Sequence, residues 1–533
     1  MNVFSIAIPC AAAVTMWGGQ PTSAQTPAKS SVATGVVFHD VNGDGARGEG
    51  EPGVGGVGVS NGREVVLTDD AGRYEIPVAE DTILFVIKPR GWRTRVDELN
   101  IPRFYYIHKP AGSPRGLEHA GVAPTGPLPE SVDFALTKAE EPERFTFIAI
   151  GDPQPRNIEE VDYFSHDVIE EVIGSRREQR EAGEAGPAFV VGLGDIAFDD
   201  LSVYEPLTQA LAHIGALVWC VHGNHDMNYD VETDDLADET WERVFGPATY
   251  AFNVGPAHFV VLDNVEYQGA AQDRKYVGRI GPAGLEFIAA DLAHVARETP
   301  VVLFMHIPLT ETMDRDRLFD LIEDRPHTLS ISAHRHTQQH VHLGPEDGWD
   351  GAAPHHHLVA ATGSGSWWSG APDEEGIPHA TMADGAPNGY TIVTMDGAAY
   401  AMRYKAARRP ADHQMTIFAP NEVAQADLPA TEVLVNVFAG SPKSVVEMRI
   451  GEGSSWTALR LEAREDPHQQ RMKALEESET PPPGRKIPNL RDSTHIWVGA
   501  LPPGLAPGTH LIEVRTTDQF GQAHHGRRLF RVK

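Results

Sequence analysis

The chain has 533 residues, too many for one ordinary globular domain, and its length points to three or four. Its 44 basic and 75 acidic residues give a formal net charge of −31, which argues against a nucleic-acid backbone or an anionic membrane surface as the main partner. Hydrophobic residues make up 41%, enough for real cores, while 51 Gly and 40 Pro point to many turns and short strands rather than a helical bundle.

The N-terminus carries a short apolar run, Val3 to Val14, followed by polar, Pro-rich sequence. Thr22-Ser23-Ala24 supplies the small residues of a cleavage site, so residues 1–24 read as a signal peptide and the protein as exported, periplasmic or secreted. Cleavage there removes Cys10 and leaves Cys220 alone, which excludes both an intrachain disulfide framework and a thiolate zinc site. No later run is long and apolar enough to span a bilayer as a helix.

From Gly35 the pattern becomes short alternating runs, Val36–Phe38, Val54–Val59, Val65–Leu67, Tyr74–Val78 and Ile83–Ile87, separated by Gly, Asn and Asp. That spacing predicts an N-terminal β-sandwich over 33–138. Within it, Asp40, Asn42 and Asp44 with Glu51 fit the spacing of a twelve-residue calcium loop, although no helices flank it. The loop resembles the calcium-binding B-type repeats of bacterial surface adhesins, and a structural calcium ion is the expectation it carries.

Over 144–404 the alternation changes. Buried runs of five or six apolar residues precede amphipathic stretches such as 158–181, 204–215 and 282–297, which predicts an α/β layered domain. After Tyr404 this stops. Val433–Phe438, Val445–Ile450, Thr494–Val498 and His510–Val514 alternate as strands, predicting a C-terminal β-sandwich over 418–533. The charged, Pro-rich stretch 463–490 reads as a loop or short helix inside it. His355-His356-His357 reads as a strand edge near the site rather than a metal box, and His524-His525 as a solvated turn.

Five of the central apolar runs end in residues that can bind metal. Phe145–Ile150 leads into Asp152 and Gln154, Phe189–Leu193 into Asp195, and Leu217–Val221 into Asn224-His225-Asp226. Val301–Met305 leads into His306, and Thr328–Ser332 into His334 and His336. In α/β sheets ligands bind outside the carboxyl ends of the strands. Carboxylates and imidazoles together suit Mn, Fe or Zn, and one carboxylate can bridge two ions about 3.5–4 Å apart.

As an ordered set, Gly151-Asp152, Gly194-Asp195, Gly223-Asn224-His225-Asp226, His306 and His334-x-His336 resemble the motifs of calcineurin-like metallophosphoesterases. The resemblance implies an α/β sandwich of two mixed sheets flanked by helices, with a dinuclear site at the strand ends. It implies that Asp152 and His336 hold one metal, that Asn224, His306 and His334 hold the other, and that Asp195 bridges them. It makes His225 a general acid or phosphate-oxygen donor and Asp226 the residue that orients it. The implied reaction is hydrolysis of a phosphate mono- or diester by a metal-bound hydroxide, with a small phosphorylated substrate as partner.

Three positions depart from the family pattern. Gln154 stands where a metal-binding His is usual, and could still ligate through its amide oxygen. Phe198 stands where purple acid phosphatases carry a metal-bound Tyr, and Ala333 replaces a usual Gly. The layout is similar to a tripartite bacterial subgroup in which β-domains bracket the phosphoesterase. Trp367, Trp368, Asn388 and Tyr390, on Gly-rich loops after the last motif, are the residues expected to wall a substrate pocket. A rival of another class is an exported binding or adhesion protein with an inactive phosphoesterase-like domain; an Asn224→Ala variant that loses hydrolysis would exclude it.

Overall fold

Two mixed sheets form the centre of the molecule. The computed structural model describes residues 31–533 except 270, 273, 274 and 379, so the expected cleavage site at Ala24 lies outside the described residues. The first sheet has the order Leu217–Cys220, Phe189–Gly192, Arg144–Ile150, Gly389–Asp396, Ala399–Ala406. Its first three strands are parallel, and Gly389–Asp396 runs antiparallel to Arg144–Ile150. The second has the order Tyr250–Val254, Ala257–Val261, Val301–Phe304, Thr328–Ser332, His355–Val359, Gln339–Leu343, parallel in its four central strands.

The parallel strands of the first sheet are largely apolar on both faces because both faces are covered. Phe147, Phe189, Phe252, Phe259 and Phe304 fill the layer between the sheets, with Phe147 and Phe189 stacked at 4.8 Å. The outer face of the first sheet is covered by helices. Ile158–Phe164 starts on Asn157, whose side chain accepts from the Glu160 N–H. It continues through a π-helical turn, Ser165–Ile169, into Glu170–Glu181. The two sheets meet at their carboxyl ends, where Gly151 pairs with Thr362. This junction brings all five motif loops to one place.

The N-terminal strands form two facing sheets, one of five strands and one of four. Their core is continuous with the central one: Phe85 meets Phe287 at 5.5 Å and Phe104 meets Trp219 at 5.3 Å. A buried Lys109, paired with Glu239 and Glu242, crosses the same boundary. The C-terminal strands form another two-sheet sandwich around Val433, Val435, Trp497, Ile512 and Phe530. The fold is thus an α/β sandwich bracketed by β-domains. Within 463–490 there is a helix, Pro467–Glu476, capped by Asp466.

Two local expectations change. His355–Val359 is an inner strand, paired on both sides, rather than a sheet edge. His524 and His525 lie in the long strand Ala523–Val532, not in a turn.

A buried polar network fixes the C-terminal domain to the site. The His495 ring bonds to Asp384 (3.0 Å) and Asn436 (2.7 Å), and Asn436 donates to Asp466 and to the Asp384 carbonyl. Asp384 in turn accepts from the Gln338 N–H, two residues beyond His336.

Candidate metal centre

Backbone conformation marks the site before any side chain is considered. Eleven described non-glycine residues have positive φ, a region that costs roughly 1–2 kcal/mol for an L-residue. Eight of them are Asp152, Gln154, Asp195, Asp199, His334, His336, Trp367 and Trp368. Strain on this scale persists where the surroundings over-determine it, and it clusters at functional loops. Gly194 (φ +88°) is required for a related reason: a Cβ there would lie 2.4 Å from His306 Nδ1.

One group of donors is tight. Asp195, His306 and His334 each bring a ligand atom within 4.8 Å of the others. His306 Nδ1 donates to the Leu193 carbonyl (2.9 Å), which fixes the tautomer and leaves Nε2 as a lone-pair donor. That Nε2 lies 3.2 Å from Asp195 Oδ1, 3.1 Å from Asn224 Oδ1 and 3.2 Å from His334 Nδ1. Tyr229 fixes Asn224 by donating to its carbonyl.

Beside it lies a second set. His336 Nδ1 faces the Gly365 carbonyl, so Nε2 is again free, 3.6 Å from Asp152 Oδ1. Asp152 Oδ2 accepts from the His334 N–H, while its Oδ1 has no hydrogen-bond partner. Gln154 donates its amide to Asp195 Oδ2 (2.8 Å), and its Oε1 is also without a partner. Asp195 therefore stands between the two sets.

Electrostatically the cluster is incomplete without cations. Burial pushes the Asp152 carboxyl up to about 8, with the Asp195 charge adding to the rise. Burial would also raise Asp195, but His306 and His225 pull it well below the usual carboxylate range; burial would lower His306, but Asp195 raises it to about 9, so an ion bound at Nε2 would displace a proton. Burial depresses His334 to about 3 and His336 to about 4, so both are neutral, as metal ligands must be. Buried lone pairs without partners are costly in a closed core. Here they are Asp152 Oδ1 and Gln154 Oε1, beside imidazole nitrogens of the right tautomer. The donor set fits divalent or trivalent ions.

His225 is placed at the rim, stacked on Phe198 (4.2 Å, 17°). Its Nδ1 bonds to Asp199 Oδ1 at 2.7 Å. Asp226 does not orient it. Both Asp226 oxygens are occupied by the N–H groups of Ile196, Ala197 and Gly223 and by the Tyr204 hydroxyl, so this carboxylate braces the two motif loops instead. Asp199 was legible as a carboxylate four residues after Asp195. Its role was not, because it depends on how the loop turns.

Three of the four expected pocket residues face the interior. Trp368 is 1% exposed and donates to the Pro153 carbonyl. Tyr390 is equally buried and bonds Glu171, and Asn388 bonds the buried Asp167 of the π-helical turn. Only Trp367 stays at the site, 4.3 Å from the His336 ring. In the N-terminal loop, Asp40 accepts from the Gly43 and Gly45 N–H groups, and Glu51 from Val41, Asn42 and Gly48. Asn42 and Asp44 bond each other. The loop is closed by its own backbone, and Asp40, Asp44 and Glu51 are not among the convergent acidic or histidine groups of the described residues.

Comparison with known proteins agrees with this architecture. Residues 40–118 match the model for the N terminal of calcineurin-like phosphoesterase, 145–338 that for calcineurin-like phosphoesterase, and 357–524 that for its C terminal. The chain belongs to the calcineurin-like phosphoesterase family, a class of metal-dependent phosphoester hydrolases, with its N- and C-terminal domains in the same order. An uncharacterized protein of Schizosaccharomyces pombe is 30% identical over 111 residues, covering 17% of this chain and 26% of its own length. The match thus spans about a quarter of that relative. The structure of a purple acid phosphatase from yellow lupin (Lupinus luteus) seeds is similar at a TM-score of 0.36 and 13% identity, over 71% of this chain and 67% of that one.

Proposed function

We propose that the protein hydrolyses a small phosphorylated ester at a dinuclear metal centre. Asn224, His306 and His334 would hold one ion, Asp152, Gln154 and His336 the other, and Asp195 both. The carrying observation is the convergence of buried donor atoms on the two sides of Asp195: Asn224, His306 and His334 crowd one side, and the unpartnered Asp152 Oδ1 and Gln154 Oε1 lie on the other. Ions bound there would supply Lewis acidity toward a phosphoryl oxygen and the means of ionising water near neutral pH.

The chain's own residues do the rest. Asp199 occupies His225 Nδ1, which leaves Nε2 as the atom that can pass a proton to a leaving alkoxide. Burial lowers the His225 pKa, but the Asp195 and Asp199 carboxylates more than offset it and raise it, a direction that favours the protonated ring. Phe198 fixes the ring plane by stacking.

The test is hydrolysis of p-nitrophenyl phosphate and bis-p-nitrophenyl phosphate by protein lacking residues 1–24. It is run after chelation and again after adding Mn, Zn or Fe. Metal-restored cleavage that disappears in Asn224→Ala is expected, and the ratio of the two substrates ranks monoester against diester. Failure of every metal to restore turnover of either ester would contradict the proposal. The apolar run at Val3–Val14 supports export; a mature N-terminus at Gln25 is the expected result of sequencing the protein recovered from its native host.

A further inference from the structure

Besides the His495–Asp384 network, the C-terminal domain approaches the metal centre through one short exposed segment. After the helix Pro467–Glu476 the chain returns toward the catalytic domain. It is pinned there because Glu476 accepts from the Ile487 N–H (2.7 Å) and Lys473 donates to the Ile487 carbonyl (2.9 Å). Gly484 (φ +110°) then passes so close to the Trp367 loop that a Cβ would sit 2.5 Å from the Gly370 carbonyl oxygen. The next residue is Arg485. Its carbonyl accepts from the Gly370 N–H (2.8 Å), and its guanidinium donates to the Trp367 carbonyl (3.1 Å).

That guanidinium lies 6.0 Å from the centre of the Phe198 ring, the same ring on which His225 stacks at 4.2 Å. Trp367, whose carbonyl it holds, lies against His336. Arg485 is therefore exposed at the edge of the site, sharing the Phe198 ring with the group placed to protonate the leaving oxygen.

Its charge is left unspent. In a chain with a net charge of −31, carboxylates are plentiful. The arginines nearest the motif loops have taken one each: Arg156 pairs with Glu160, and Arg335 with Glu311. Arg485, exposed to solvent, makes no ion pair among the described residues; burial of part of the side chain and Arg156 disfavour its charge, and the Glu160 carboxylate favours it. A guanidinium presents planar paired donors suited to carboxylate and phosphate oxygens.

We infer that Arg485 recognises a second oxyanion, carboxylate or phosphate, carried on the leaving group of the substrate, so that the C-terminal domain completes the specificity pocket. The inference rests on the phosphoesterase reading for the word substrate, but its test does not need turnover. The full-length, metal-loaded protein is titrated with phenylphosphonate, 4-phosphonobenzoate and 1,4-phenylenediphosphonate, which differ only in the second group. Wild type is expected to bind one or both doubly anionic probes about tenfold more tightly than phenylphosphonate, the size of one charge-assisted hydrogen bond. The arm that gains tells carboxylate from phosphate.

Arg485→Gln removes the charge but retains an amide donor for the Trp367 carbonyl, and it should erase the preference. Arg485→Lys should restore part of it. Equal binding of all three probes by wild type, or an unchanged preference in Arg485→Gln, would overturn the inference. A protein that shows the preference yet hydrolyses neither nitrophenyl ester with any metal would overturn the phosphoesterase reading and leave this one standing.

Discussion

Two histidine clusters share the second sheet and have opposite chemistry. At the strand ends, His306 and His336 each give Nδ1 to a backbone carbonyl and turn Nε2 toward a carboxylate. Along the inner strand, His355 bonds Thr328 and Ser330, and His357 bonds Ser330 and Ser332. His356 bonds Tyr400 and His340. Every nitrogen of these three rings is consumed, and among the described residues no carboxylate bonds them. The difference teaches that a metal site is defined by free lone pairs converging on an acid, not by the density of histidine. The ladder is a set of cross-strand ties in a buried sheet.

Substitutions can break this comparison. The largest effect should come from Asp195→Ala, which removes the carboxylate between the two donor sets: at least one of the two ions should be lost and hydrolysis should fall to background, read by elemental analysis and nitrophenolate release. His225→Ala comes next, with kcat lower by about 10²–10⁴-fold and metal content retained. Asp199→Asn should move kcat in the same direction by less. Asp226→Asn should act differently, lowering stability by about 1–3 kcal/mol, because it disturbs the contacts of a buried loop brace. If Asp226→Asn left the melting temperature unchanged, the bracing role would be wrong.

On the ladder side, His357→Ala takes one ring partner from each of the buried Ser330 and Ser332 hydroxyls and should cost about 1–3 kcal/mol in denaturant unfolding, with metal content and turnover unchanged. The smallest effect is on pH. Burial depresses His340, His355 and His357 to about 3, against an ordinary value of 6.5. Between those values the unfolded chain binds more protons than the folded one. The ladder's contribution is thus fully present above about pH 6.5 and is lost as pH falls toward 3. The chelated protein should melt at a lower temperature at pH 5 than at pH 7.5, with the gap narrower in His357→Ala. An equal gap in both proteins would mean that the ladder does not set the acid sensitivity.

Much of the site was readable from sequence because it is built from local patterns. Continuous apolar runs such as Phe189–Gly192 can only be buried strands, and the Gly-Asp or Asn-His that follows falls at a carboxyl end whatever the rest of the fold does. What was not readable depends on loop direction and on distant partners. Trp368, Asn388 and Tyr390 sit on the expected loops, but the left-handed turn at Trp367-Trp368 and the π-helical turn at Asp167 direct them inward. Asp226 and Asp199 exchange roles for the same reason. Strands Trp92–Val96 and Ala523–Val532 went unnoticed because Arg, His and Gly interrupt their alternation. Ala523–Val532 buries only Phe530 and Val532. Arg485, in a segment read as a loop inside the C-terminal domain, gained meaning only once Gly370 and Phe198 were beside it.

The most direct measurement is the number of ions bound per chain by wild type, Asp195→Ala and His357→Ala after reconstitution with Mn, Zn or Fe and removal of excess metal. Two ions in wild type and His357→Ala, with none or one in Asp195→Ala, is the predicted result. Ions that persist at full occupancy in Asp195→Ala, or that vanish in a folded His357→Ala, would place the metal in the ladder and contradict the centre described above.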